Sequence, residues 1–182
     1  MNAVAPTLVL AAGGIADARG LAAALCLGAD GVVMGTRFLA TPEANAHPMY
    51  KARLMAATEE DTVRTILFGH GWPNAPHRML KTPFAMEWVD RENETQDARS
   101  DESIIGRTIT GGAEIPIQRF ASLPPNIHAT GDIDSMSLLA GQSVGLIDEI
   151  RPAAEILRET VNGAERLIRE LSTTLHLTQT PK

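Results

Sequence analysis

Cysteine is almost absent: Cys26 stands alone in 182 residues. No intramolecular disulfide can form, and the chain suits a reducing, cytoplasmic compartment. Cys26 itself is expected to be a small buried apolar residue. Aromatic residues make up only 4% of the chain, so the core must be built from aliphatic side chains and alanine. Positive charge is in deficit, with 16 Lys and Arg against 22 Asp and Glu and a net charge of −6. That balance argues against nucleic acid or an anionic membrane as a partner. It leaves room for a local anion site, because backbone amides bind phosphate without basic side chains. Long apolar runs are missing too. Asp17, Arg19, Asp30 and Arg37 break the stretch from Thr7 to Ala40, which excludes a membrane span there. The first residues carry no basic n-region, so no secretory signal is expected.

What is present has ordinary globular proportions, with 44% hydrophobic and 21% charged residues. The length can bury a core without a metal or disulfide staple. It falls short of a complete (β/α)8 barrel, which takes about 250 residues.

Leu8 to Ala12 is a short continuous apolar run, the pattern of a parallel strand buried on both faces. Gly13-Gly14 ends it, Asp17 is placed to cap a helix, Ala18 to Leu27 is helical, and Gly28 suits the helix C-terminus. Gly31 to Met34 is a second apolar strand, followed by one turn of helix over Arg37 to Ala40. This order is a βαβ unit with a parallel sheet. A further helix is expected over Glu43 to Thr58, with Pro48 near its first turn. Val63 to Phe68 is strand-like, Gly69 to Pro76 is a loop, and Arg78 to Leu80 and Met86 to Val89 return as short strands. Asp90 to Ser103 is acidic and lacks large apolar residues, the composition of a solvated linker. Ile104 to Pro125 shows no clear period, Leu138 to Ile150 is expected to be helical, and Pro152 to Leu171 is a long amphipathic helix. Its apolar positions include Leu157, Val161, Ala164, Ile168 and Leu171, Asn162-Gly163 interrupts it, and Ser172 to Lys182 is a frayed tail. The resulting division is 1–58, 59–103 with an acidic linker over 90–103, and 104–182.

Two motifs carry chemistry: Ala11-Ala12-Gly13-Gly14-Ile15 and Gly31-Val32-Val33-Met34-Gly35-Thr36. Each lies where a parallel strand runs into a helix, and ligands of such sheets sit beyond the carboxyl ends of the strands. Glycines let a backbone approach an anion closely, and Thr36 adds a hydroxyl. A single Gly-Gly turn is equally well a tight turn and nothing more; two such turns one βα unit apart are stronger evidence. Neither the dinucleotide G-x-G-x-x-G nor the P-loop pattern occurs.

The block from Ala11 to Thr41 resembles the C-terminal barrel segment of nitronate monooxygenases, also called 2-nitropropane dioxygenases, a pattern shared with flavin-dependent enoyl-ACP reductases. Ala140 to Ile147 and His47-Pro48-Met49-Tyr50-Lys51 extend the resemblance. It implies an α/β fold: the last two βα units of an FMN-binding (β/α)8 TIM barrel plus a mainly helical C-terminal region. It implies FMN as cofactor and a small alkyl nitronate, oxidised with O2, as substrate. By motif, Gly13 and Gly14 would donate backbone N–H groups to the FMN phosphate. Val33, Met34, Gly35 and Thr36 would form the second phosphate turn, and Gln142 would approach the flavin. Relatives often carry Gln at the position of Val33, so a backbone contact is expected there rather than a side-chain one.

The resemblance also implies that the family's first six strands and its catalytic histidine precede the AAGGI motif, so the 182 residues are expected to be a truncated portion without that histidine. Two strands with open edges would associate with themselves or aggregate, unless residues from Glu43 onward cover them. His47 is expected to be a surface or helix-capping residue, His70 and His77 flank a turn with a spacing unlike zinc motifs, and His128 and His176 are expected in solvent. No paired-carboxylate or Ser-His-Asp arrangement is recognisable. Three functions remain open: a nitronate monooxygenase, an enoyl-reductase-like flavoenzyme using NAD(P)H, and an inactive barrel fragment.

Overall fold

The computed structural model describes residue 4, residues 6–96 and residues 103–177. Strand β1 (Leu10–Ala12), helix α1 (Ala18–Cys26) and strand β2 (Gly31–Val33) form the expected parallel βαβ unit. The pairs are Leu10↔Gly31, Ala11↔Val32 and Ala12↔Val33. Asp17 caps α1 by accepting from the Gly20 amide at 2.9 Å, and Gly28 follows with φ +92°. Asp30 fixes the approach to the sheet, since its carboxylate accepts from the Val9 amide at 2.8 Å. The expected burial of both sheet faces is not found. Leu10 is 56% and Val33 51% exposed, because the sheet has only these two strands and α1 covers one side. Cys26 is also exposed rather than buried, at the last turn of a helix whose buried residues are Ala22 and Ala24.

Helix α2 (Thr36–Leu39) is the anticipated single turn. Helix α3 starts later than expected and covers Pro48–Ala56. Proline at its first turn cannot donate to a preceding turn, and His47 caps it by accepting from the Met49 amide at 3.2 Å. Strands β3 (Thr62–Thr65) and β4 (His77–Leu80) pair antiparallel, Val63 against Met79. Met86 to Val89 is not a strand. Thr82 accepts from the Ala85 amide at 3.1 Å and Pro83 opens helix α4 (Pro83–Trp88), so cap and proline decide for helix.

The acidic stretch is not a plain solvated linker over its described part. Residues Val89–Thr95 form a 3-10 segment in which Thr95 is fully buried. Glu92 accepts from the Ile66 amide at 2.9 Å, Thr95 donates to the Leu67 carbonyl at 2.6 Å, and Gln96 donates to the Ile66 carbonyl at 2.7 Å. Polar side chains here replace a missing strand partner for residues 66 and 67. Residues 97–102 lie outside the described residues.

Strands β5 (Ile104–Thr110) and β6 (Ala113–Gln118) form a hairpin that the sequence reading missed, with the short β7 (Thr130–Gly131) beside β5. Gly111 and Gly112 make its two-residue turn with φ +60° and +82°, the left-handed pair that such hairpins need. Leu138 to Ile150 is not a regular helix and holds only a 3-10 turn over Gln142–Leu146, so the C-terminal region is a hairpin, irregular segments and one helix. That helix, α5 (Ala153–Leu177), runs six residues beyond the expected end. Residues 178–182 lie outside the described residues.

The main core joins Tyr50 and Leu54 of α3 with Leu80, Ile117, Met136, Leu138 and Val144. A second cluster gathers Leu67, Phe68, Met79, Ala85 and Phe120. Phe84 and Trp88 pack against the second cluster, and the Trp88 and Phe120 rings meet edge-on with centroids 4.9 Å apart. Four of the seven aromatic rings thus gather at the second cluster, while Tyr50 serves the main core.

Candidate functional site

The parallel register brings the two glycine motifs to one end of the sheet. Ala12 pairs with Val33, so Gly13-Gly14 and Met34-Gly35-Thr36 leave the strands side by side. Gly13 and Gly14 have φ +93° and +72°, a conformation that only glycine holds without strain. A Cβ added at Gly13, Gly14 or Gly35 would meet nothing within 4 Å. These turns face open space, and no protein packing accounts for the glycines. The backbone of Gly35 caps α2 without any side-chain hydrogen bond to the helix, which leaves amides of the first turn unused by side chains.

Thr36 links this end of the sheet to the 3-10 turn. Its hydroxyl oxygen accepts from the Gly141 amide at 2.9 Å, leaving the hydroxyl hydrogen available to a ligand. Gln142 is the next residue and is exposed. Val33 is exposed, and Met34 is half-buried. All seven candidate positions therefore lie around the turns or one residue from Thr36's partner.

A cleft of about 370 Å³ opens beside Gly35, Thr36 and Gly141. Its walls include Leu39, Tyr50, Pro124, Pro125 and Leu139, and its polar groups are Thr36, Asn45 and Arg78. Tyr50 is fully buried and donates its hydroxyl to the Leu139 carbonyl; burial pushes its phenol well above the ordinary value. Asn45 and Arg78 were not singled out from the sequence, and Tyr50 entered only as part of the His47–Lys51 motif. The available signal for Arg78 was a cation in an otherwise apolar strand.

A larger cleft of about 520 Å³ lies between α1, α5 and the segment around Asp148. It mixes Asp17, Glu149 and Glu159 with Arg37, Arg151 and Arg166. Arg37 is buried and donates to the Glu149 carbonyl at 2.6 Å; desolvation lowers its affinity for the proton, opposed by Glu149. This pairing is structural glue between α2 and the approach to α5.

His47 caps α3, His128 is exposed as expected, and His70 and His77 are buried among aromatic rings. The His70 ring meets Phe120 edge-on at 5.8 Å, and His77 stacks on Trp72 at 6.3 Å. The side chain of His176 lies outside the described residues. Among the described residues no histidine lines the cleft, no cluster of three metal-binding side chains occurs, and no helix is long and apolar enough to cross a membrane.

Residues 1–163 match a family model described as nitronate monooxygenase. A nitronate monooxygenase of Metarhizium robertsii is 34% identical over 174 residues, covering 88% of this chain and 42% of that protein. FabK from Thermotoga maritima superposes with a TM-score of 0.65 at 34% identity, covering 92% of this chain and 47% of that one. Nitroalkane oxidase from Streptomyces ansochromogenes superposes with a TM-score of 0.65 at 25% identity, covering 93% and 42%. The chain spans between 38% and 42% of three curated relatives it matches.

Proposed function

Since the chain belongs to the nitronate monooxygenase family, we propose that it supplies the phosphate side of an FMN site in an oxidoreductase that oxidises small alkyl nitronates with O2. The observation that carries this is the juxtaposition of two open glycine turns by the Ala12↔Val33 register. Gly13, Gly14 and Gly35 present backbone amides with no Cβ in the way, and Thr36 adds a hydroxyl. A dianionic phosphate suits such a cradle, because converging N–H dipoles stabilise it without a basic side chain. Val33 and Met34 are assigned backbone contacts only, and Gln142, exposed and next to Gly141, is assigned to the flavin side of the turn. FMN, when bound, supplies the redox chemistry. The residues of this chain bind and orient; with no histidine on the cleft among those described, they are assigned no proton transfer. The barrel reading, in which β1 and β2 are two strands of a larger parallel sheet, accords with their exposed faces.

The test is a flavin titration of the purified chain. FMN should bind at least tenfold more tightly than riboflavin, which lacks the phosphate. Gly14→Val should abolish that difference, through strain at φ +72° rather than through a clash. Equal affinities in the parent chain, or no binding of either flavin, would sink the proposal.

The FabK likeness supports a second reading, an enoyl-reductase-like enzyme using NAD(P)H, since its identity exceeds that of the nitroalkane oxidase. O2 uptake with a nitronate, set against NAD(P)H consumption with an enoyl thioester, separates the two.

A further inference from the structure

Helix α5 carries an apolar stripe that the described residues leave uncovered. The helix packs on α1 through another side, where Ile156, Thr160, Gly163 and Ala164 are buried. Leu157, Val161, Ile168 and Leu171 are between 36% and 54% exposed. Every residue from 168 to 174 is exposed, so the described residues cover no side of those two turns. An apolar stripe left in water on an amphipathic helix marks a docking face.

The stripe has the spacing of a coiled-coil seam. Leu157, Val161, Ala164, Ile168 and Leu171 follow one another at steps of four, three, four and three residues, the alternation of a heptad. Charge then selects the occupant. Helix α5 bears four Glu and three Arg, whereas a helix that lies on an anionic lipid surface needs a basic polar face. Arg158 and Glu165 border the stripe on the flank away from α1, and both are exposed. Among the described residues Arg158 takes part in no ion pair, and Glu165 pairs only with Arg169 of its own helix. Two copies of α5 laid antiparallel, Leu157 of each against Ile168 of the other, set Arg158 of each beside Glu165 of the other, twice by symmetry. A slip of one heptad, with Val161 against Leu171, sets Glu165 against its own copy. A parallel pair brings no opposite charges together, because the α1 flank carries Thr160, Leu167 and Thr174.

We propose that this stripe joins two copies of the chain as an antiparallel α5 pair, in the register that opposes Leu157 to Ile168. The apolar side chains supply the attraction, and the Arg158–Glu165 pairs fix direction and register. Self-association, expected from open strand edges, is thereby assigned to a helix. It is independent of the flavin reading, since no residue of the stripe lines the cleft beside the glycine turns.

The experiment is sedimentation equilibrium of the full chain over a range of concentrations. The expected mass is twice 19.5 kDa, falling to the single-chain value on dilution. Leu157→Glu should weaken dimerisation at least tenfold with unchanged circular dichroism, because that side chain lies largely in solvent in the single chain. Arg158→Glu alone and Glu165→Arg alone should each weaken it several-fold by opposing like charges, and the double swap should restore it. Should Leu157→Glu fail to fold, the charge swaps carry the test, since they leave every apolar side chain in place. A mass of 19.5 kDa at every concentration overturns the proposal. So does a dimer that Leu157→Glu leaves unchanged, as one built on strand edges would be. A dimer indifferent to the single swaps, or not restored by the double swap, overturns the register and the proposal with it.

Discussion

Tyr50 shows how much rests on one hydroxyl. It is fully buried in the main core, and its O–H satisfies the Leu139 carbonyl on the cleft wall. Tyr50→Phe keeps the ring and strands the carbonyl, so it should cost about 1–3 kcal/mol in urea denaturation. The pH dependence has a definite sign. Burial raises the phenol in the folded state, so the unfolded chain ionises first, near pH 10. The stabilising contribution is complete below that pH and is lost as pH rises above it. Denaturation midpoints of the parent chain should fall above about pH 10 more steeply than those of Tyr50→Phe. Parallel slopes would show that another group dominates. The hydroxyl's partner was not legible in the sequence, where Tyr50 stands only as one residue of the His47–Lys51 motif and Leu139 is distant in the chain. Gly13, Gly14 and Gly35 were legible, because turn geometry depends on neighbours in the chain.

Among elements, the βαβ unit was read correctly from its local punctuation. Asp17 and Gly28 bound α1, and the Ala-rich sequence between them has one sensible conformation. Gly111-Gly112 was an equally local signal for the β5–β6 hairpin, obscured because Pro116 sits in the second strand. Residues 138–150 were misread because apolar content without caps cannot distinguish a helix from irregular chain held by Arg78 and Thr36. In α5 the period was right, but of the apolar positions named only Ala164 is buried. Ile156, Thr160, Gly163 and Ala164 face inward, whereas Leu157, Val161, Ile168 and Leu171 are exposed. The reason is the crossing with α1: a Cβ at Gly163 would lie 2.6 Å from that of Ala18. Glycine is therefore a packing requirement, not an interruption. Gly163→Ala should lower stability by about 1–3 kcal/mol through overpacking, against the gain of about 1 kcal/mol that helix propensity alone would bring. A rise in melting temperature would show that the two helices separate easily.

At the scale of the whole molecule, two clusters of apolar side chains bury residues from α3, β4, β6 and the irregular segments, while the βαβ unit stands at their margin with exposed Leu8, Leu10 and Val33. That the two glycine turns leave one end of the sheet was legible because it follows from strand order and glycine placement. The neighbourhood of Arg78 was not, because its strand is placed by pairing with residues 64 and 140, distant in the chain. The β1–β2 ladder has a kinetic corollary. Three paired residues per strand hold the turns on a mount that opens more readily than the core strands, so its amides should take up deuterium early. An anion gripped by both turns would act as a clasp: saturating FMN should slow exchange at Ala12 and Val33 in step. Protection confined to one strand would mean that a single turn does the holding.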